Sequence, residues 1–272
     1  MTRTAARIAS GAHLYPGPDG VWRYHLPGDE FVRITAPAEL LAAAQRLLHG
    51  AAGPAPIDAL EQLLAAFDER GLLAPPPAGR PQALATVWVD GDNPVAEQVA
   101  RLLQADVRVL TGPADEGAVI AADLVVSCAG WLPDARWRQL DTWCREHGTP
   151  WHMSYGEGRR WYAGPLAVPG STAGYSDVRA RRLAACGVPD ELRAHWAYLD
   201  STTVAPPVPW PSPGAAALLA GLIVNDILAW RDTGAAAAAG VQIGFDPATG
   251  ELTRHPVLPL PALAEPDPQD RP

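Results

Sequence analysis

The sequence predicts an α/β protein of two domains, residues 1–77 and 82–272: a small domain of three strands plus helices, then strands alternating with helices. Three observations predict it. Short strand-like runs separated by PGPDG and PGDE turns give way to helical spacing before the first proline cluster. Three consecutive prolines within Ala74–Pro81 then interrupt the chain, because such a run cannot continue a helix and favours an extended spacer. Beyond it strands and helices alternate, the pattern of a parallel, Rossmann-like sheet. A chain of 272 residues that is 48% hydrophobic can bury a substantial core.

The elements follow in order. Ala12–Tyr15, Val21–Leu26 and Phe31–Thr35 read as strands. Pro37–His49 carries apolar residues at helical spacing and stops at Gly50. Ile57–Leu73 repeats that spacing, with Leu60, Leu63, Leu64 and Phe67 on one face. Three strands and two or three helices are the outline of a winged helix. In the larger domain Leu84–Val89, Val107–Leu110, Ala122–Cys128 and Trp151–Tyr155 read as strands, and Pro94–Leu103 and Trp137–His147 as helices. Pro189–Leu199 is a short helix, and Pro206–Pro213 a loop. Ala215–Trp230 is a strongly apolar helix, suited to the core or to a homodimer face. Val241–Phe245 and Glu251–Val257 close the chain as a hairpin around DPATG.

Charge and composition exclude several functions. The net charge is −9, with 30 acidic residues spread along the chain and every basic residue an Arg. A nucleic-acid binder needs a concentrated basic face. Here the last helix of the winged-helix outline carries Asp58, Glu61, Asp68 and Glu69, which phosphates would repel; a transcription regulator is the weakest reading. Cys128, Cys144 and Cys186 form no C-x-x-C pair, which fits reduced thiols in a cytoplasmic protein. The polar N-terminus is unlike a signal peptide, and no apolar run approaches the roughly 20 residues of a membrane span.

The most informative stretch is Gly164–Arg182, GPLAVPGSTAGYSDVRARR. Its PG-x-TA turn and Arg-rich helix resemble the ThiF/MoeB-like superfamily, so the larger domain is read as a ThiF-type α/β domain. In zinc-bearing members of that superfamily two cysteines in C-x-x-C spacing follow the TA; here those places hold Gly174 and Asp177. The tail HPVLPLPALAEPDPQDRP lacks the second cysteine pair, and a glycine supplies no ligand to a tetrahedral zinc site. The first strand-to-helix turn has Gly91 in place of G-x-G-x-x-G, flanked by Asp90 and Asp92, where backbone amides would approach phosphates. Where the superfamily has a magnesium-binding acid, DLVVSCAGW offers Ser127, Ala129 and Gly130, and the phosphate-contacting lysine cannot exist. The resemblance thus implies a domain with neither zinc nor ATP, and no catalytic residues.

Nearly the whole chain resembles the "ocin-ThiF-like" cyclodehydratase-partner group of azole-forming ribosomal-peptide (thiopeptide-like) biosynthesis. Membership implies that the winged helix is a RiPP recognition element, which takes the leader of a precursor peptide as an added strand. It also implies a partner enzyme of YcaO type that converts Cys, Ser or Thr side chains to azolines. On that model Phe31, Val32, Arg33 and Ile34 form the receiving edge and Leu63, Phe67 and Arg70 line the groove; Phe31, Ile34, Leu63 and Phe67 equally read as core. The alternative is an active ATP-dependent adenylating enzyme that modifies a peptide. Cys128 reads as a nucleophile or a small core residue, and Arg179, Arg181 and Arg182 as an anion site or a solvated helix face. The density of Trp131, Trp137, Trp143, Trp151 and Trp161 suits an interface or a core. His147 and His152 lack a carboxylate or thiol at ligand spacing.

Overall fold

A computed structural model describes residues 8–50, 58–74, 81–201, 206–235 and 239–261. Residues 75–80 of the expected linker, and Ile57 at the start of the second expected helix, lie outside the described residues. The chain divides into two compact units, Met1–Ala78 and Gly79–Pro272.

The first unit is an antiparallel sheet followed by two helices. Strands β1 (His13–Pro16), β2 (Trp22–His25) and β3 (Phe31–Ile34) lie in that order, so β3 is an edge. Leu26 N donates to Glu30 O at 2.8 Å to close the second hairpin, with Asp29 at φ 59°, a left-handed position that Asp tolerates better than most residues. Alternation puts Leu14, Trp22, Tyr24 and Ile34 inside, against Leu41 and Leu48 of α1 (Ala38–Leu48) and Leu60 and Phe67 of α2 (Asp58–Glu69). The Tyr24 ring meets Phe67 edge-on with centroids 6.0 Å apart, and its hydroxyl donates to the Leu72 carbonyl. The sheet is therefore fastened to the residues just beyond α2.

The second unit is one seven-stranded mixed sheet, ordered β10-β9-β8-β7-β6-β4-β5. Strands β4 (Thr86–Asp90), β5 (Arg108–Thr111), β6 (Leu124–Trp131) and β7 (Trp151–Glu157) are parallel. Antiparallel β8 (Arg160–Ala167), β9 (Val241–Asp246) and β10 (Glu251–Pro256) extend it. The helices α3 (Pro94–Leu103) and α8 (Pro213–Thr233) pack on one face, burying Val95, Val99, Leu219 and Ile223. The helices α4 (Glu116–Ala121), α5 (Asp134–His147), α6 (Tyr175–Ala185) and α7 (Pro189–Ser201) cover the other face, around Trp137 and Trp151. Trp137 meets Trp151, Tyr155 and Tyr175 edge-on at 5.4–5.8 Å, so β7 and α6 converge on one ring of α5.

Two expectations need correcting. The helix α8 runs for 21 residues and is long and apolar enough to cross a membrane by length and composition; Asn225 and Asp226 interrupt its apolar run in the sequence and hid that length. In the fold it packs on α3 and β8 and buries Asp226. Also, β8 and α4 are elements that the sequence pattern did not announce: β8 contains a Gly-Pro step, and α4 is only six residues long.

Candidate functional site

Among the described residues no strand pairs with the outer edge of β3, and that edge has a specific register. Because Leu26 and Glu30 are bonded across the hairpin, the alternation of an antiparallel pair makes Tyr24–Val32 and Trp22–Ile34 the hydrogen-bonded pairs. His25–Phe31 and Arg23–Arg33 are then the non-bonded pairs. The N–H and C=O groups of Phe31 and Arg33 accordingly point away from β2, in position to pair with an additional strand.

The side chains of this edge divide by face. Phe31 is 61% exposed and stacks on His25 at 4.7 Å, which lies 6.1 Å from His13 in a parallel arrangement. A row of rings thus crosses the outer face. Arg33 is exposed beside it with no ion-pair partner among the described residues. Arg23 is held by Asp19 through contacts of 2.8 and 2.7 Å, and that guanidinium keeps the Asp19 carboxyl well below its ordinary range. On the inner face Val32 and Leu63 are half-buried against one core cluster, and Arg70 is exposed just beyond α2. Ile34 and Phe67, at 5% and 1% exposure, belong to the core: they hold the edge in place but offer no side chain to a ligand.

The first strand-to-helix turn of the larger unit is closed around its own side chains. Gly91 sits at φ 129°, and a Cβ there would lie 2.4 Å from the Cys128 carbonyl oxygen, so the lone glycine serves the close approach of β6. Asn93 Oδ1 accepts from the Val95 and Ala96 amides at 3.1 Å each, and its Nδ2 donates to Cys128 O at 2.9 Å. The amides that would otherwise meet a phosphate at the start of α3 are therefore capped within the chain. Asp90, 2% exposed, accepts from Ser127 Oγ at 2.6 Å and pairs with Arg136. A cleft of about 510 Å³ remains beside it, with Asp90, Asp92 and Glu97 in its lining and Arg136 as the only cation among the described residues there. One arginine against three carboxylates leaves most of a triphosphate's charge uncompensated by the chain.

The Gly174–Asp177 segment does not fit zinc. A Cβ at Gly174 would come within 2.6 Å of Asp141 Oδ1, so a cysteine there would collide with a buried carboxylate. Asp177 Oδ2 accepts from Gly174 N at 2.9 Å and Oδ1 from Leu260 N at 2.8 Å, tying α6 to the chain beyond β10. Asp141, 1% exposed, accepts at Oδ1 from Trp151 Nε1 and Tyr175 N, and at Oδ2 from Ser176 N and Oγ, at 2.8–3.2 Å. A carboxylate suits this place, at the positive end of α6. Two aspartates, Asp141 and Asp177, thus hold the start of α6.

The remaining sequence candidates separate. Cys128 is buried, and burial together with the nearby Asp90 raises its thiol pKa far out of the nucleophilic range. Trp137, Trp151 and Trp161 are core; Trp131 and Trp143 are half-buried. Arg179 pairs with Asp134 at 2.7 Å and lies over the Trp196 ring, apart from the roles of Arg181 and Arg182. The two histidines do not come together: His152 is buried against Asp226, while His147 is exposed and meets Glu116 and Glu146. The fold supplies carboxylates to His147, one from α4, that ligand spacing in the sequence did not show; the group is an exposed surface cluster.

No protein-family model matches the chain, and no curated protein matches it. Solved structures do share its fold. The heterocyclase TruD superposes with a TM-score of 0.64 at 18% identity, over 95% of this chain and 42% of that one. A heterocyclase in complex with substrate and cofactor gives 0.63 at 13%, over 94% and 38%. MccB of E. coli, with AMPCPP and MccA, gives 0.57 at 12%, over 96% and 99%. The chain spans about two-fifths of the length of the two heterocyclases.

Proposed function

We propose that this chain is a leader-peptide-binding partner protein. It would take the leader of a ribosomal precursor as a fourth strand on β3 and present the peptide to a separate YcaO-type cyclodehydratase that forms azolines. The single observation that carries the reading is the outward register of Phe31 and Arg33 on an edge that no strand among the described residues pairs with. Backbone hydrogen bonds to those two residues would supply affinity, and Phe31, Val32, Leu63 and Arg70 would select side chains on either face. The likeness of the fold to heterocyclases is consistent with this role. The acidic, internally capped turn at Asp90–Asn93 and the clash at Gly174 support a larger unit that works without ATP or zinc.

A second reading, an adenylating enzyme, draws on the likeness to ATP-bound MccB and on the cleft beside Asp90. ATP–pyrophosphate exchange separates the two, since a binding protein gives none. The direct test is fluorescence-polarisation titration with the labelled leader peptide encoded beside this gene. Low-micromolar or tighter binding is expected; binding weaker than high micromolar would sink the proposal.

A further inference from the structure

A second cavity lies in the larger unit, apart from the turn at Gly91. It is an open cleft of about 450 Å³ between α6, α7 and the β8–β10 end of the sheet, within the size range of small-ligand sites. Val178, Leu192 and Val257 make apolar walls, and Arg181, Arg182 and His255 bring positive or protonatable nitrogens. In a chain of net charge −9, no carboxylate is among the described residues that line this cleft.

The two arginines differ in what they have left to offer. Arg182 pairs with Glu157, donates to Tyr155 Oη at 3.2 Å and lies over the Tyr162 ring at 5.7 Å; its charge is compensated inside the protein. Arg181 donates from Nε to the Leu258 carbonyl at 2.8 Å and has no carboxylate partner among the described residues. That single bond fixes the plane of the guanidinium and leaves its two terminal nitrogens for a bidentate acceptor. One uncompensated guanidinium beside apolar walls matches a single negative charge on an apolar body. A phosphate dianion would bring more charge than Arg181 balances.

We propose that this cleft binds a carboxylate carried on an apolar group, with the carboxylate on Arg181 and the apolar group against Val178, Leu192 and Val257. Two sources share this chemistry: a free small acid, and the C-terminal residue of a peptide chain. The site stands independently of the strand-edge proposal.

Cys186 provides the reporter. It lines the cleft and is partly exposed, whereas Cys128 and Cys144 are buried, and burial pushes the Cys144 thiol up to about 12. Alkylation of Cys186 by iodoacetamide, followed by mass spectrometry on the full chain, is measured with four probes. These are N-acetylleucine, N-acetylleucinamide, and a hexapeptide ending in leucine with a free or an amidated C-terminus. At about ten times its dissociation constant a bound acid is expected to slow alkylation about tenfold, and the matching amide is expected to have no effect. Protection by the acid peptide alone assigns the site to chain ends; protection by N-acetylleucine as well shows that a small acid suffices. Arg181→Gln, with its fold checked by melting temperature, is expected to abolish protection while Cys186 still reacts. The proposal is overturned if neither acid protects, if acid and amide protect equally, or if Arg181→Gln is protected like the wild type.

Discussion

Arg33→Pro is expected to weaken leader-peptide binding by about tenfold or more, with the melting temperature of the protein close to that of the wild type. The Arg33 N–H faces the open edge and takes no part in the β2–β3 ladder. Proline deletes that donor and is tolerated on edge strands. A single lost hydrogen bond is worth about 0.5–1.5 kcal/mol net, and the pyrrolidine ring also obstructs the incoming strand. Arg33→Ala separates the side chain from the backbone: it removes the charge but keeps the N–H, so its loss should be the smaller. Val32→Pro is the opposite control. Its N–H belongs to the bonded pair with Tyr24, so it should unfold the first unit, which circular dichroism and thermal melting would show. Wild-type affinity in Arg33→Pro would place the peptide elsewhere.

Asp141→Ala is expected to destabilise the larger unit by about 3–5 kcal/mol, since each buried polar group left unpaired costs about 1–3 kcal/mol. The substitution strands the Trp151 indole N–H, the amides of Tyr175 and Ser176 and the Ser176 hydroxyl together. It also removes a negative charge from the start of α6. For a unit of this size the loss corresponds to roughly 10 °C in melting temperature. The ion pair with Arg145, at 3.6 Å and with a largely exposed guanidinium, contributes little. Arg145→Ala should therefore leave the melting point nearly unchanged. If Asp141→Ala melted with the wild type, the carboxylate would not be what holds the start of α6.

How much was legible in the sequence depended on whether the decisive contact was local. The helix α3 was read with both its bounds because Asn93, Pro94 and the spacing of Val95, Val99 and Leu103 lie within eleven residues. The strand β3 was marked by the PGDE turn and its apolar run. Which groups of β3 face outward needed the hairpin bond between Leu26 and Glu30. Apolar spacing put Phe67 on the right face of α2, but spacing alone cannot separate a groove wall from a core residue touching Tyr24. Asp141 left no signal: an acid in DARWRQLDTWCREH reads as solvent-facing, and the amides that bury it lie 34 and 35 residues away. The Glu116–His147 contact, 31 residues apart, was missed for the same reason.

Strand addition at β3 is tested most directly by residue-resolved amide hydrogen exchange of the full chain, with and without saturating leader peptide. The Phe31 and Arg33 amides should exchange freely in the unliganded protein and become protected when the peptide binds. The Val32 amide, already paired with Tyr24, should change little. Saturable binding that left Phe31 and Arg33 exchanging as before would contradict the assignment of this edge as the peptide site.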